Sequence, residues 1–306
     1  MSEEQVPTPH FRCGYVAIIG EPNVGKSTLM NALIGQKISI VTPKAQTTRH
    51  KILGLLSSDT YQIVFLDTPG IIAPKYKLHD MMMRSASSAI EDADVLLFMI
   101  DATRVEQATD FCRRHAFAIL QSVKLPVFLV INKVDKVNKR ELLPVMDSLS
   151  KAFSFKEIFP ISALTADGTA DLLASVIREL PIHPPFYPTD IVSEQSERFF
   201  VSEIIRETIF MATKEEIPYA ATVAIREFTE RNAGKHFISA DIIVERDSQK
   251  GILIGKRGAK LKEIGEKARR GVERFLQHPV FLELHVKVLK EWRENTAALE
   301  RLGYKA

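Results

Sequence analysis

The chain has 306 residues, 45% of them hydrophobic and 26% charged, with a formal net charge of +3; this suits two soluble domains, and so small a charge predicts a polyanion partner only if the basic residues cluster. Its cysteines, Cys13 and Cys112, lie far apart with no histidine at ligand spacing, which argues against a disulfide scaffold or a zinc site and for reduced, partly buried thiols in the cytosol. The acidic, polar start MSEEQVPTPH does not read as a secretory signal, and apolar runs as short as Val95–Ile100 do not span a membrane.

From residue 15 to about 180, apolar runs alternate with helical patterns. YVAIIG (15–20), YQIVFLD (61–67), DVLLFMID (94–101) and VFLVIN (127–132) are nearly unbroken apolar segments. Such strands suit a mostly parallel sheet covered by helices on both faces, a doubly wound α/β domain. Between the first two runs, KSTLMNALIG places Leu29, Leu33 and Ile34 on one helical face and ends on Gly35 as a C-cap.

GEPNVGKST starts at Gly20, directly after the first strand and directly before that helix, and fits the P-loop pattern G-x-x-x-x-G-K-[ST]. Its residues Gly20, Glu21, Pro22, Asn23, Val24, Gly25, Lys26, Ser27 and Thr28 are the expected phosphate cradle. Glycines let backbone N–H groups curl around a phosphate, Lys26 reaches the β- and γ-phosphates, and the Ser27 hydroxyl ligates Mg2+. The loop does not choose between ATP and GTP, but NKVD at 132–135 does. The Asp135 carboxylate can accept from both N1–H and the exocyclic amine of guanine, a donor pair that adenine lacks. Asn132 can bind the base and brace the loop, and the stem of Lys133 can cover the ring. DTPG (Asp67, Thr68, Pro69, Gly70) ends the second apolar run and supplies a Mg2+-side carboxylate and a backbone N–H for the γ-phosphate.

ISAL, with Ser162, Ala163 and Leu164, resembles the loop that finishes a guanine pocket. In this order and spacing the four motifs resemble a Ras-like GTPase domain of the translation-factor-related class, over residues 15–180. TPKAQTTRHK (42–51) then falls where that fold has its first switch loop, with Thr48 as the threonine that senses Mg2+ and the γ-phosphate and Thr47 as the alternative. Lys26, Thr48 and Gly70 are the residues expected to act on the transferring phosphoryl group. The residue after DTPG is Ile71, where efficient Ras-like enzymes carry a water-positioning glutamine. An aliphatic side chain cannot orient water, so hydrolysis is expected to be slow unless a partner, a backbone group or a monovalent cation assists. Asn23 resembles the asparagine that holds potassium in some related GTPases, which would make K+ a cofactor beside GTP/GDP and Mg2+. Its alternative reading is a loop residue bonding its own backbone.

The stretch 181–198 carries Pro181, Pro184, Pro185 and Pro188 and reads as a stiff, extended linker between a domain at 1–180 and another at 199–306. Beyond it the pattern predicts a helix at about 200–212, strands at 221–228 and 238–246, a turn at DSQKG (247–251), a basic helix and a closing strand at 280–289. YAATVAI (219–225) reads most simply as strand, and MMMRSA (81–86) as core packing or a mobile switch region rather than a partner contact.

ILIGKRGAKLKEIGEKARRG contains the pair Gly255 and Gly258 around Lys256 and Arg257. A bare G-x-x-G is weak, since about 0.6 such pairs arise by chance at this composition. Its context is not: residues 250–274 hold nine basic and three acidic side chains, and Leu261, Ile264, Ala268 and Val272 share one helical face. No G-K-[ST] follows, so this is not a second P-loop. The arrangement resembles a KH domain, whose GXXG loop clamps a nucleic-acid backbone beside an apolar groove, and the flanking order is similar to the smaller α+β type II KH topology. Lys250, Ile254, Gly255, Lys256, Arg257, Gly258, Lys260 and Lys262 are the expected RNA contacts on that resemblance.

A Ras-like domain, the TPKAQTTRH switch, Ile71, a proline-rich linker and a C-terminal KH module together resemble the Era family of ribosome-assembly GTPases, over essentially the whole chain. The resemblance implies GTP as substrate and the single-stranded 3′ end of small-subunit ribosomal RNA as partner. It further implies a monomer in the cytoplasm that assists small-subunit assembly, and a peripheral contact with the inner membrane face for which the residues offer no basis. The competing class is a membrane-associated signalling or cell-division GTPase whose C-terminal module binds protein. A tRNA-modifying GTPase would need further catalytic residues that the chain does not offer.

Overall fold

Strands buried on both faces are apolar along nearly their whole length, and this is what the first half of the chain supplies. A computed structural model describes residues 10–107, 115–231 and 233–304; Cys112 lies outside them, while Cys13 is a free thiol with no exposure. The first unit runs β1 (Arg12–Gly20), α1 (Lys26–Ile34), β2 (Ile52–Ser57), β3 (Tyr61–Asp67), α2 (Lys77–Glu91), β4 (Val95–Asp101), α3 (His115–Leu120), β5 (Val127–Asn132), α4 (Lys139–Ala152), β6 (Ile158–Ile161) and α5 (Thr169–Glu179). Its sheet has the order β2-β3-β1-β4-β5-β6, with β2 antiparallel to β3 and the other pairs parallel. Alternation along β4 divides the core between the two faces: Leu96, Phe98 and Ile100 enter one layer, Val95, Leu97 and Met99 the other. Burying Phe98 or Phe65 contributes roughly 1.5–3 kcal/mol each. Because β1, β3, β4, β5 and β6 run the same way, the loops that follow them gather at one edge, where such sheets bind ligands.

Residues 181–196 are not a free linker but a strap laid along this sheet. Cys13 N–H donates to the Pro181 carbonyl (3.1 Å), His183 N–H to Phe11 (3.1 Å) and Leu55 N–H to Val192 (2.9 Å). The buried Gln62 Oε1 accepts from the N–H groups of Phe186 (2.8 Å) and Tyr187 (3.0 Å), and Ser193 Oγ donates to the Leu53 carbonyl (2.7 Å). Four prolines in so short a stretch disfavour helix and central strand, but their carbonyls still accept, so the segment docks without regular structure.

The second unit comprises α6 (Glu197–Ala212), α7 (Ile217–Ala220), β7 (Thr222–Thr229), β8 (His236–Val244), α8 (Asp247–Ile254), α9 (Ala259–Leu276), β9 (Val280–Val288) and α10 (Thr296–Arg301). Its sheet is β7-β8-β9, antiparallel then parallel. Helices cover one face through a core that includes Ile205, Ile238, Ile242, Ile264, Ala268 and Val272.

Three sequence expectations are corrected here. Tyr219 and Ala220 belong to a helical turn, not a strand, because Pro218 fits the start of a helix, where no N–H is required. DSQKG opens α8 instead of turning, since the Gln249 side chain accepts from the N–H groups of Glu245 (3.0 Å) and Arg246 (3.1 Å) at the helix entry. After β9 the chain continues into α10, capped by Asn295 Oδ1 on Ala298 N–H (3.0 Å). Met82 is buried, but across the units: with Leu78 it packs on Ile243, Trp292, Leu299 and Tyr304. Among the described residues no helix is long and apolar enough to cross a membrane.

Candidate functional site

The loop between β1 and α1 opens on a cavity of about 490 Å³ lined by Pro22, Asn23, Gly25, Lys26, Ser27, Thr28, Thr48, Gly70, Lys133 and Leu164 among others. Lys26 is buried, and its ammonium donates to the carbonyls of Gly20 (3.2 Å) and Glu21 (3.1 Å). Burial pushes its pKa down to about 8, opposed by the carboxylates of Asp67 and Glu21. A cation held so dry gains most from an anion in the loop.

Four side-chain oxygens converge nearby. Ser27 Oγ donates to Asp67 Oδ2 at 2.6 Å and lies 2.9 Å from Thr48 Oγ1. Ser39, which no motif marks, donates to the same Asp67 oxygen at 2.8 Å. Asp67 is fully buried, among the described residues its Oδ1 has no hydrogen-bond partner, and burial raises its pKa against the bond from Ser27, the charge of Lys26 and the bond from Ser39. Oxygen donors around an unpaired buried carboxylate fit a hard divalent cation such as Mg2+. Thr47 points elsewhere, its Oγ1 bonded to Thr42 Oγ1 (2.6 Å) and the Lys44 carbonyl (2.7 Å).

In the DTPG turn, Thr68 Oγ1 donates to the Ile18 carbonyl at 2.8 Å, and Pro69 and Gly70 carry the chain to Ile71. The Ile71 N–H donates to Gly20 (3.0 Å), and its buried side chain belongs to the sheet core rather than the cavity wall.

At the far end of the cavity Asn132 is consumed as a brace: Nδ2 donates to the Val24 carbonyl (2.7 Å) and Oδ1 accepts from Ala163 N–H (2.8 Å). The Lys133 ammonium lies 2.6 Å from Asp101 Oδ2 and 2.7 Å from the Asn23 carbonyl. Burial opposes ionisation of Asp101, but the bonds from Lys133 and Thr103 hold its carboxyl below the usual range. Asp135 is exposed on the turn Val134–Lys136 and is not part of the cavity lining; Leu164, which is, is 77% exposed and flanked by the Ser162–Asp167 bridge. Ser39 and Asp101 escape sequence reading because they act through neighbours; only their proximity to the cavity identifies them.

The glycine pair lies between α8 and α9. Gly255 has φ 70°, and a Cβ there would sit 2.6 Å from Lys260 Cβ, so the bend requires glycine. Lys256, Arg257 and Lys262 are exposed, Lys250 and Ile254 are partly buried, and Lys260 is paired with Glu263 at 3.0 Å. From Gly258 a groove of about 550 Å³ runs between α9 (Leu261, Lys262, Gly265, Arg269) and edge strand β9 (Leu282, Leu284). It offers an apolar floor, the cations Lys235, Lys262 and Arg269 beside Glu266 and Glu283, and the α9 N-terminus, a setting that suits a phosphodiester chain.

The parallel sheet with its strand–loop–helix cradle defines a P-loop nucleotide-binding protein, joined to a KH module. Family models agree on both halves: "50S ribosome-binding GTPase" matches residues 15–133 and "KH domain" residues 216–293. The GTPase Era of Geotalea daltonii is 46% identical over 304 residues, spanning 99% of this chain and 100% of that protein. Among solved structures, a variant of Aquifex aeolicus Era bound to GDP·AlF4− superposes with a TM-score of 0.90 at 41% identity, covering 97% of this chain and 100% of that one. Era in complex with MgGDPNP and nucleotides 1506–1542 of 16S ribosomal RNA gives 0.92 at 42% identity, with the same coverage. The chain belongs to the Era family of GTPases.

Proposed function

We propose that this protein is a GTP-controlled RNA-binding factor that grips the 3′ end of small-subunit ribosomal RNA and assists small-subunit assembly. The observation that carries this reading is the exposed Lys256–Arg257 pair, held by the Gly255 bend at the mouth of the α9–β9 groove. The relative bound to 16S ribosomal RNA supports the choice of RNA.

In this reading the loop amides and Lys26 hold the β- and γ-phosphates, and Ser27, Thr48 and Asp67 hold Mg2+, which when bound neutralises charge on the phosphate oxygens. The Gly70 N–H faces the γ-phosphate. Asp135 reads the guanine edge while Lys133 and Leu164 enclose the ring. Because Ile71 is committed to the core, no side chain follows DTPG to orient the attacking water, and intrinsic hydrolysis is slow. Asn23 Nδ2 donates to the Pro43 carbonyl (3.1 Å) at the mouth of the switch; in this reading it is the other amide atom, the Oδ1 oxygen, that would hold a K+ ion beside the transferring phosphate.

The test is Lys256→Asp with Arg257→Asp. Loss of two phosphate contacts should weaken binding of a single-stranded ribosomal 3′-end oligonucleotide and lower its log–log salt slope by about 1.4, with GTP binding intact. Unchanged RNA affinity would refute the assignment.

A further inference from the structure

The loop that supplies Thr48 is fastened on its other side to the second unit. The Thr47 carbonyl accepts from Arg206 of α6, which is itself paired with Glu203. The Lys44 ammonium donates to the carbonyls of Phe210 and Thr213 at the end of α6. Arg49, 2% exposed, has no carboxylate partner among the described residues. Its guanidinium donates to the carbonyls of Ala221 (2.9 Å), Pro218 (2.9 Å) and Tyr219 (3.1 Å), and reaches Tyr304 Oη (3.4 Å). The next residue, His50, stacks on Tyr304 with ring centroids 4.5 Å apart. Thr48, between these anchors, turns its Oγ1 to Ser27.

We propose that Arg49 is a positioning residue for GTP hydrolysis: its seat in the α7 carbonyls and Tyr304 holds Thr48 at the metal, so that the RNA-binding unit completes the GTPase site. Adjacent residues carry the two loads, one on the cavity side and one on the second unit, so displacement of Arg49 moves the Thr48 hydroxyl with it. A carbonyl cage suits this task because a forked guanidinium donates to several backbone oxygens at fixed angles at once. The coupling is reciprocal: whatever tightens Thr48 on its metal also favours the docked arrangement of the second unit.

This inference rests on Thr48 being the metal-side threonine, so both residues are varied in the full-length chain. Arg49→Ala is expected to lower kcat about 10- to 100-fold and to raise the Mg2+ concentration for half-maximal turnover about 10-fold, with GDP affinity unchanged. Arg49→Lys, which keeps the charge and lacks the fork, should fall between Arg49→Ala and the parent. It also serves as the second variant should Arg49→Ala fold poorly by circular dichroism. In a Thr48→Ala background, Arg49→Ala should cost nothing further. A slow Thr48→Ala enzyme beside a normal Arg49→Ala and Arg49→Lys overturns the positioning role alone. A normal Thr48→Ala enzyme overturns the Thr48 assignment and the proposal with it.

Discussion

Gly25 and Asn132 fit one another: a Cβ at Gly25 would lie 2.2 Å from Asn132 Nδ2, and Gly25 adopts φ 104°. The contact places the carboxamide of β5 against the phosphate cradle, so base side and phosphate side of the cavity share one side chain.

Gly25→Ala should therefore abolish nucleotide binding as well as strain the backbone. Asn132→Ala removes both partners of the Val24 carbonyl and Ala163 N–H, at about 1–3 kcal/mol for each buried group left unpaired. The expected outcome is a lower Tm in apo and GDP-loaded protein alike, read by thermal denaturation.

Asp135→Asn should switch the base preference. Two charge-assisted hydrogen bonds at about 1.5–3 kcal/mol each correspond to a GTP affinity loss on the order of 10²- to 10⁴-fold. Xanthosine triphosphate should bind the variant better than GTP does. Competition against a fluorescent GDP analogue measures both, and unchanged GTP affinity would remove Asp135 from the guanine site.

Asn23 carries the potassium prediction. Turnover should be faster in K+ than in Na+ at equal ionic strength, and Asn23→Ala should erase the difference. Equal rates for the parent protein in the two salts would leave Asn23 as a loop residue that holds Pro43.

His79 makes the contact between the units sensitive to acid. It is 3% exposed, its ring lies 3.7 Å from that of Tyr76, and burial with Arg293 and Arg49 nearby pushes its pKa down to about 4. The unfolded chain binds a proton near pH 6.5 that the folded one refuses, so this stabilisation is full above that pH and falls away toward pH 4. Between pH 7.5 and 5.5 it should cost about 1 kcal/mol. Urea unfolding of the parent and of His79→Phe at both pH values should show the smaller pH dependence in the variant.

The fold class was legible in the sequence because its signals are local. The nearly unbroken apolar runs of β1, β3, β4 and β5 and the strand–loop–helix around Gly20–Ser27 each lie within a dozen residues. What escaped notice is contact at long separation or a cap that overrides pattern. Arg49 reads as an ordinary basic residue until Pro218 and Tyr304 come round to meet it. DSQKG reads as a turn until Gln249 reaches back to Glu245. Gln62 resembles a polar interruption in a strand, although it is the residue on which the proline-rich strap is hung.

That strap changes how the two units can move. With Ser193 bonded to Leu53 and α6 starting at Glu197, only residues 194–196 separate them, a reach of at most about 14 Å from Ser193 to Glu197. The RNA-binding unit is thus mounted on a pivot beside β2 rather than on a leash of eighteen residues. Any release can only be a rotation about that point, and after each departure the Arg49 seat stays within a short arc of its loop. Recapture of that seat would then be an intramolecular event rather than a diffusive search.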